Sequence, residues 1–146
     1  MIPFYVLIVV SALAYAAGAA GVPYLYEWDY ALKAGVTAMF LLTASAHWGK
    51  KRASLIRMVP PSLPKPERLV TLTGMLEIIG VAGLWIPALS PYAGTGLALM
   101  LLAMFPANVY AAKMNGKIGG RNVTPLPVRT VLQVIFIAAV LFAAWN

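Results

Sequence analysis

A polytopic bundle of membrane-spanning helices, an all-α fold class, is what this sequence predicts, and three observations predict it. Five apolar runs, at 2–21, 30–47, 69–87, 92–112 and 128–145, are each about 18 to 21 residues long, which at ~1.5 Å per residue matches the ~30 Å hydrocarbon core of a bilayer. Of the 146 residues, 62% are apolar and only 10% charged, whereas a soluble domain is nearer half apolar and a quarter charged. The runs also lack the alternation of a barrel strand, and a backbone in hydrocarbon must satisfy its own amides, so helices are the workable form. The whole chain, 1–146, reads as a single transmembrane domain of five spans.

The first run ends in Ala16, Ala17, Gly18 and Ala19, which resemble the cleavage region of a signal peptide. No Lys or Arg precedes it and its apolar core is long, which favours a retained first helix. After the second run, the stretch 50–59 mixes Lys50, Lys51, Arg52 and Arg57 with Leu55, Ile56, Met58 and Val59. That pattern fits either a short helix lying in the membrane interface or a solvated basic loop. Pro60, Pro61, Pro64 and Pro66 then stiffen the approach to the third helix. In the fourth run Pro106 cannot donate to the carbonyl of Leu102, so a kink and an open carbonyl are expected there.

Orientation follows from the basic residues. The stretches 48–68 and 113–129 hold ten of the eleven Lys and Arg, whereas 22–29 and 88–91 hold none. Alternate loops of a five-helix chain fall on alternate sides, so the basic loops 48–68 and 113–127 share one face, which the positive-inside rule assigns to the cytoplasm. The N-terminus is then cytoplasmic. A net charge of +7 is thus explained by topology rather than by nucleic acid. The chain has no cysteine, which excludes disulfides, thiol relays, thiolate metal sites and iron–sulfur clusters. Its single histidine excludes bis-histidine haem ligation, and no metal site is expected. No flavin, haem or nucleotide motif is recognisable, so no cofactor is evident and a redox role would draw electrons from a partner or a bound molecule.

Polar residues inside the runs are the candidates for function. Glu77 lies ~12 Å into the third helix, near the bilayer centre, where a charge costs ~2.5–3.5 kcal/mol on insertion scales, so it should be neutral or paired and face protein or trapped water. Thr73, Gly74 and Gly80 stand three or four positions away on the same stripe. His47 closes the second helix with Thr43 one turn above it; alone, such a histidine reads as an interfacial residue or a partner of the helix dipole. Asn108 lies ~6 Å from the same end of the fourth helix. Arg129 opens the fifth, where an arginine usually snorkels to headgroups, and Gln133 one turn on must find a partner in the bundle. Together Glu77, His47, Asn108, Gln133, Arg129, Thr73 and Thr43 form the candidate ligand-binding set, at matched depth near the cytoplasmic side. Nothing comparable is expected in the outer half. If their faces converge they line one polar cavity, in which Glu77 or His47 supplies a proton or hydrogen bond to a quinone carbonyl. Asn108 and Gln133 would orient that molecule and Arg129 would attract an anionic head. The alternative is a set of structural hydrogen bonds that fix helix packing.

At these residues the chain resembles the DoxX-like family of small bacterial integral membrane proteins. The matching pieces are TASAHWGKK around His47, MVPPSLPKPERLV, TGMLEIIGVAGLWIP around Glu77, GLALMLLAMFPANVYAA around Asn108, and PLPVRTVLQ at Arg129 and Gln133. The resemblance covers roughly 30–145 and implies a four-helix bundle in the bacterial cytoplasmic membrane, to which the helix at 2–21 is an addition. Similar members include a quinone-linked subunit of thiosulfate oxidation and proteins associated with redox-stress enzymes. Distant eukaryotic relatives look like assembly chaperones for membrane receptors. The resemblance therefore implies two readings: a binding site for a quinone or lipid serving a membrane or cytoplasmic redox partner, or a non-enzymatic scaffold for another membrane protein. Proton or ion conduction is less favoured, because one central acid without a relay in the outer half is a poor pathway. A homo-oligomer is left open.

Overall fold

The computed structural model of the chain describes residues 1–114, 117–118, 121–122 and 124–146. Six α-helices carry the fold: α1 (Ile2–Ala19), α2 (Trp28–Trp48), α3 (Arg52–Met58), α4 (Pro66–Leu84), α5 (Ser90–Lys113) and α6 (Leu126–Trp145). A 3₁₀ turn at Pro23–Leu25 joins α1 to α2. Between α5 and α6 the two-residue strands β1 (Lys117–Ile118) and β2 (Arg121–Asn122) pair antiparallel. The rest of the basic loop expected at 113–127 lies partly outside the described residues.

Local chemistry sets the helix ends. Proline occupies one of the first two positions of α1, α4, α5 and α6, where its missing N–H is one of the donors a helix start leaves unpaired anyway. Asp29 lies in the first turn of α2 and Gly49 follows its last residue, the favourable charge and a common residue for those two ends. Lys65, between Pro64 and Pro66, takes the left-handed conformation at φ 52°. That sharp turn starts α4 three residues earlier than the apolar run at 69–87 indicates, and the helix stops before Trp85.

Helix α1 packs on α2, while α2, α4, α5 and α6 close a ring in which α2 touches α4 and α6, and α5 touches the same two. Neighbours run antiparallel. At one end Lys33 of α2 donates to Ser90 of α5, which donates to the carbonyl of Ala144 in α6. At the other end His47 meets Val70 of α4, and Asn108 of α5 meets Arg129 of α6. Exposed Tyr24, Tyr26, Trp28, Trp85, Tyr92 and Trp145 ring the first end, and exposed Tyr5 and Trp48 mark the second, beside the basic loops. Such belts belong to the two faces of a bilayer. The apolar core, with Val36, Met39, Phe40, Leu84, Leu97 and Val140 at its centre, fills the half nearer the first belt.

Among the described residues, three helices are long and apolar enough to cross a membrane by length and composition: α1, α5 and α6. The expectation was five. The two that fall short are long enough, at 21 and 19 residues, but polar side chains dilute them: Asp29, Lys33, Thr43 and His47 in α2, and Glu67, Arg68, Thr73 and Glu77 in α4. In α4 the buried face is Val70, Gly74, Glu77, Val81 and Leu84. Its exposed face is Leu72, Met75, Leu76 and Ile79, spaced i, i+3, i+4, i+7. The polar group is turned in and the apolar stripe out, the reverse of a helix on a soluble protein.

The stretch 52–58 is a helix rather than a solvated loop. Helix α3 packs against α2, α4 and α5 with Ser54 buried, so it closes the basic end of the bundle instead of projecting from it. Pro106 sits inside α5, which continues past it to Lys113.

Close helix approach rests on glycines. A Cβ at Gly94 would collide with the Cβ of Ala144 in α6, whereas one at Gly96 meets nothing within 4 Å. Gly94→Ala is therefore expected to destabilise the bundle by about 1–3 kcal/mol as α5 and α6 are pushed apart, while Gly96→Ala leaves the melting temperature of the detergent-purified protein within error. A scan of both variants checks this, and equal melting would contradict it.

Candidate polar site

The α2–α4 seam gathers four of the candidate residues. Gly74 lets the helices close: a Cβ there would stand 2.7 Å from the Cβ of His47 and 2.9 Å from the Trp48 ring. In the space so defined, the Nδ1 of His47 lies 2.6 Å from the carbonyl of Val70 and 3.3 Å from the hydroxyl of Thr73. A carbonyl only accepts, so Nδ1 carries a hydrogen. The other ring nitrogen, Nε2, faces Glu77 Oε1 at 3.4 Å. Glu77 Oε2 accepts a 2.8 Å hydrogen bond from Thr43, whose hydroxyl also lies 3.0 Å from the carbonyl of Phe40. Thr73 meanwhile bonds back to Leu69 and Val70 of its own helix.

With Nδ1 protonated, Nε2 is the nitrogen that faces the carboxyl. The carboxyl, only 2% exposed, and the histidine, 6% exposed, are thus partners of one another and of Thr43 and Val70 rather than isolated buried polar groups. The expectation that Glu77 is paired and faces protein is met.

Asn108, Arg129 and Gln133 form a second set, on the α5–α6 seam. Arg129 donates to the side-chain oxygen of Asn108 and to the carbonyl of Thr124, the latter at 3.2 Å. It is half-buried, so it does not reach away to headgroups as a terminal arginine commonly does. Gln133, buried, donates to the carbonyl of Leu101, the residue before the Leu102 whose carbonyl Pro106 cannot serve. No hydrogen bond links this set to the first among the described residues. The seven residues thus lie in the half of the bundle near the basic loops, as their depth indicates, but they occupy two seams rather than one shared hollow.

Three further polar features escaped the sequence. Arg52 reaches beneath the end of α2, donating to the carbonyl of His47 at 2.7 Å, to Thr71 at 2.9 Å and to the carbonyl of Glu67 at 3.3 Å. Its place five residues after His47, past the helix-ending Gly49, is the signal: a guanidinium there serves carbonyls the helix end leaves open. Lys33 is 7% exposed, 3.5 Å from the Ser90 hydroxyl and 5.3 Å over the Tyr30 ring. Through Ser90 it leans on the last carbonyls of α6, the negative end of a helix dipole. The half of the bundle away from the basic loops therefore does hold a buried lysine, which a count of charges by loop passes over. Trp85 donates to Thr37 at 2.9 Å, tying α4 to α2 at the same end. No group of three or more His, Cys, Asp or Glu able to hold a metal occurs among the described residues.

Comparison with known proteins places the chain in a family. It belongs to the family described as a domain of unknown function (DUF8561), whose model matches residues 36–144. Both polar seams lie inside that span; α1 and Lys33 lie before it. No curated protein matches the chain, and no solved structure does.

Glutamine at position 77 can accept from Thr43 and donate to Nε2 of His47, whereas leucine leaves Nε2 buried without a partner. Glu77→Leu is therefore expected to lose about 1–3 kcal/mol of stability and Glu77→Gln less than half as much, read from melting temperatures in one detergent. Equal losses would show that the hydrogen bonds of the seam do not carry its stability.

Proposed function

We propose that this protein is a five-span, DoxX-like integral membrane protein of the bacterial cytoplasmic membrane. Its α2–α4 seam binds a lipophilic small molecule, a quinone or a lipid, and it serves as an accessory subunit to a redox partner. The observation that carries this reading is the Glu77–His47 pair, the acid of the apolar runs set 3.4 Å from the chain's one histidine. Such a pair can hydrogen-bond a quinone oxygen or a lipid hydroxyl, and a proton given up there would leave one negative charge shared between the carboxylate and the imidazole until it is reprotonated. The half-buried hydroxyls of Thr43 and Thr73 form the rim of the seam. On the α5–α6 seam, Asn108, Arg129 and Gln133 supply the polar support at the same depth.

Five spans are supported by geometry that composition alone does not weigh. Trp28 and Trp48 stand 20 residues apart at the two ends of α2, ~30 Å by helical rise. Helix α4 shows its apolar stripe outward, and both helices run beside three that are apolar enough to cross. The basic loops then lie in the cytoplasm together with the N-terminus. Because the chain has no native cysteine, single cysteines test the arrangement directly. A cysteine at Lys51 should react with a membrane-impermeant maleimide only after the membrane is opened, and one at Val22 in intact spheroplasts. The opposite pattern would reverse the orientation, and equal labelling of both in intact cells would remove it.

For the ligand, a quinone added at about 100 times its dissociation constant should stabilise the purified protein by ~2.7 kcal/mol, seen as a rise in melting temperature. The rise should vanish in Glu77→Leu. If neither quinones nor lipids raise the melting temperature, and none co-purifies by mass spectrometry, the binding reading fails. A scaffold or assembly chaperone is the second reading, favoured by one observation: among the described residues, Ser11 Oγ is the buried side-chain polar atom without a partner, so the seams are complete without a ligand. Cross-linking in native membranes that returns one stoichiometric membrane protein, with no ligand bound in isolation, would favour it.

A further inference from the structure

A second site lies outside the seam, where α3 meets the start of α4. An open groove of about 370 Å³ is lined by Arg52, Glu67, Arg68, Thr71, Leu72 and Met75. Its residues are sorted by depth. Arg52, Glu67, Arg68 and Thr71 sit at the basic end, and Leu72 and Met75 follow on the exposed face of α4, where Ile79 continues the same stripe.

The two guanidiniums differ in how they are held. Arg52 is fixed by its bonds to His47, Thr71 and Glu67, all of them to neutral acceptors. Arg68 is exposed. Among the described residues no carboxylate lies within ion-pair distance of either. Three donors of Arg52 are used in those bonds, which leaves Nε–H and one terminal N–H. Two uncompensated cations beside one carboxylate give the groove a charge of +1, and they stand next to an apolar track rather than open water.

We propose that this groove binds one monoanionic glycerophospholipid of the phosphatidylglycerol type. The phosphodiester lies between Arg52 and Arg68, the glycerol hydroxyls donate to Glu67, and one acyl chain runs along Leu72, Met75 and Ile79. A single phosphodiester charge brings the groove to neutrality. An ethanolamine head returns its own positive charge and leaves +1, while a second phosphate overshoots to −1. Bidentate guanidinium donors suit a phosphate, and Leu72 to Ile79 spans ~10 Å of helix, about half an acyl chain. The groove's position at the basic loops places the head at the level where anionic lipids attract cations. This site is separate from the Glu77–His47 pair and does not depend on the reading given for it.

The test uses the delipidated full chain, with retained lipid counted by native mass spectrometry against equal amounts of phosphatidylglycerol, phosphatidylethanolamine and diacylglycerol. Phosphatidylglycerol should be held at least fivefold better than either of the others. Arg68→Gln, at an exposed position, should lower its retention about fivefold, the worth of one basic contact near a membrane surface. Lys50→Gln removes the same charge from the same end of the bundle and should change retention less than twofold. Equal retention of diacylglycerol would overturn the proposal. So would an equal loss in Lys50→Gln, which would reduce the effect to the general basic field, or displacement of the lipid by millimolar glycerol phosphate, which would remove the acyl track.

Discussion

Hydrocarbon cannot solvate a carboxyl, and the arrangement of this bundle follows from where that constraint is met. Glu77 and His47 face each other at 3.4 Å between α2 and α4, and the approach they require sets the rest. Gly74 is needed because a side chain there would strike His47. Thr43 is needed because the second oxygen of the Glu77 carboxyl would otherwise be bare. Once α2 and α4 are joined by this polar seam, their outward faces are free to be apolar, as the stripe Leu72, Met75, Leu76 and Ile79 is. A polar interior with an oily exterior is a packing solution that only a membrane rewards.

The same logic divides the bundle along its length. Near the basic loops, polar side chains do the joining on both seams; toward the other belt, Val36, Phe40, Leu84, Leu97 and Val140 pack without polar help. Lys33 interrupts that division. Its ammonium has no carboxylate within reach among the described residues, and it is held by an aromatic face, a hydroxyl and the end of α6. Three helices are therefore tied at that end by one cation, as α2 and α4 are tied at the other by the Glu77–His47 pair.

Much of this was legible in the sequence and some was not, for reasons that differ by residue. The five long helices follow from run length alone, each within about three residues of its end, because prolines and a glycine punctuate them. The depth of Glu77, His47, Asn108, Arg129 and Gln133 follows from counting residues along a helix of fixed rise. Rotation about the helix axis does not follow from counting. The stripe Thr73, Gly74, Glu77 and Gly80 marks the inward face of α4, but nothing in the pattern tells which neighbouring helix that face or Asn108 will meet, and one hollow became two seams. Helix α3 was ambiguous because a seven-residue segment that mixes two Arg with Leu, Ile and Met suits an interface or a loop. Arg52 and Lys33 were missed because basic residues near apolar runs were read as topology signals, which says where a charge lies but not what it touches.

The polar faces of α2 and α4 also bear on how the chain reaches its place. In the five-span arrangement proposed above, α1, α5 and α6 are oily enough to partition alone, whereas α2 carries His47, Thr43 and Lys33 and has no mate for His47 until α4 has been synthesised, some thirty residues later. Its transfer from the insertion channel into lipid would then wait for a helix not yet made. Delayed, pairwise release of α2 and α4 would make α1, which packs on α2, the placeholder that shields it meanwhile, and would give the extra helix at the front of the chain a role during biogenesis.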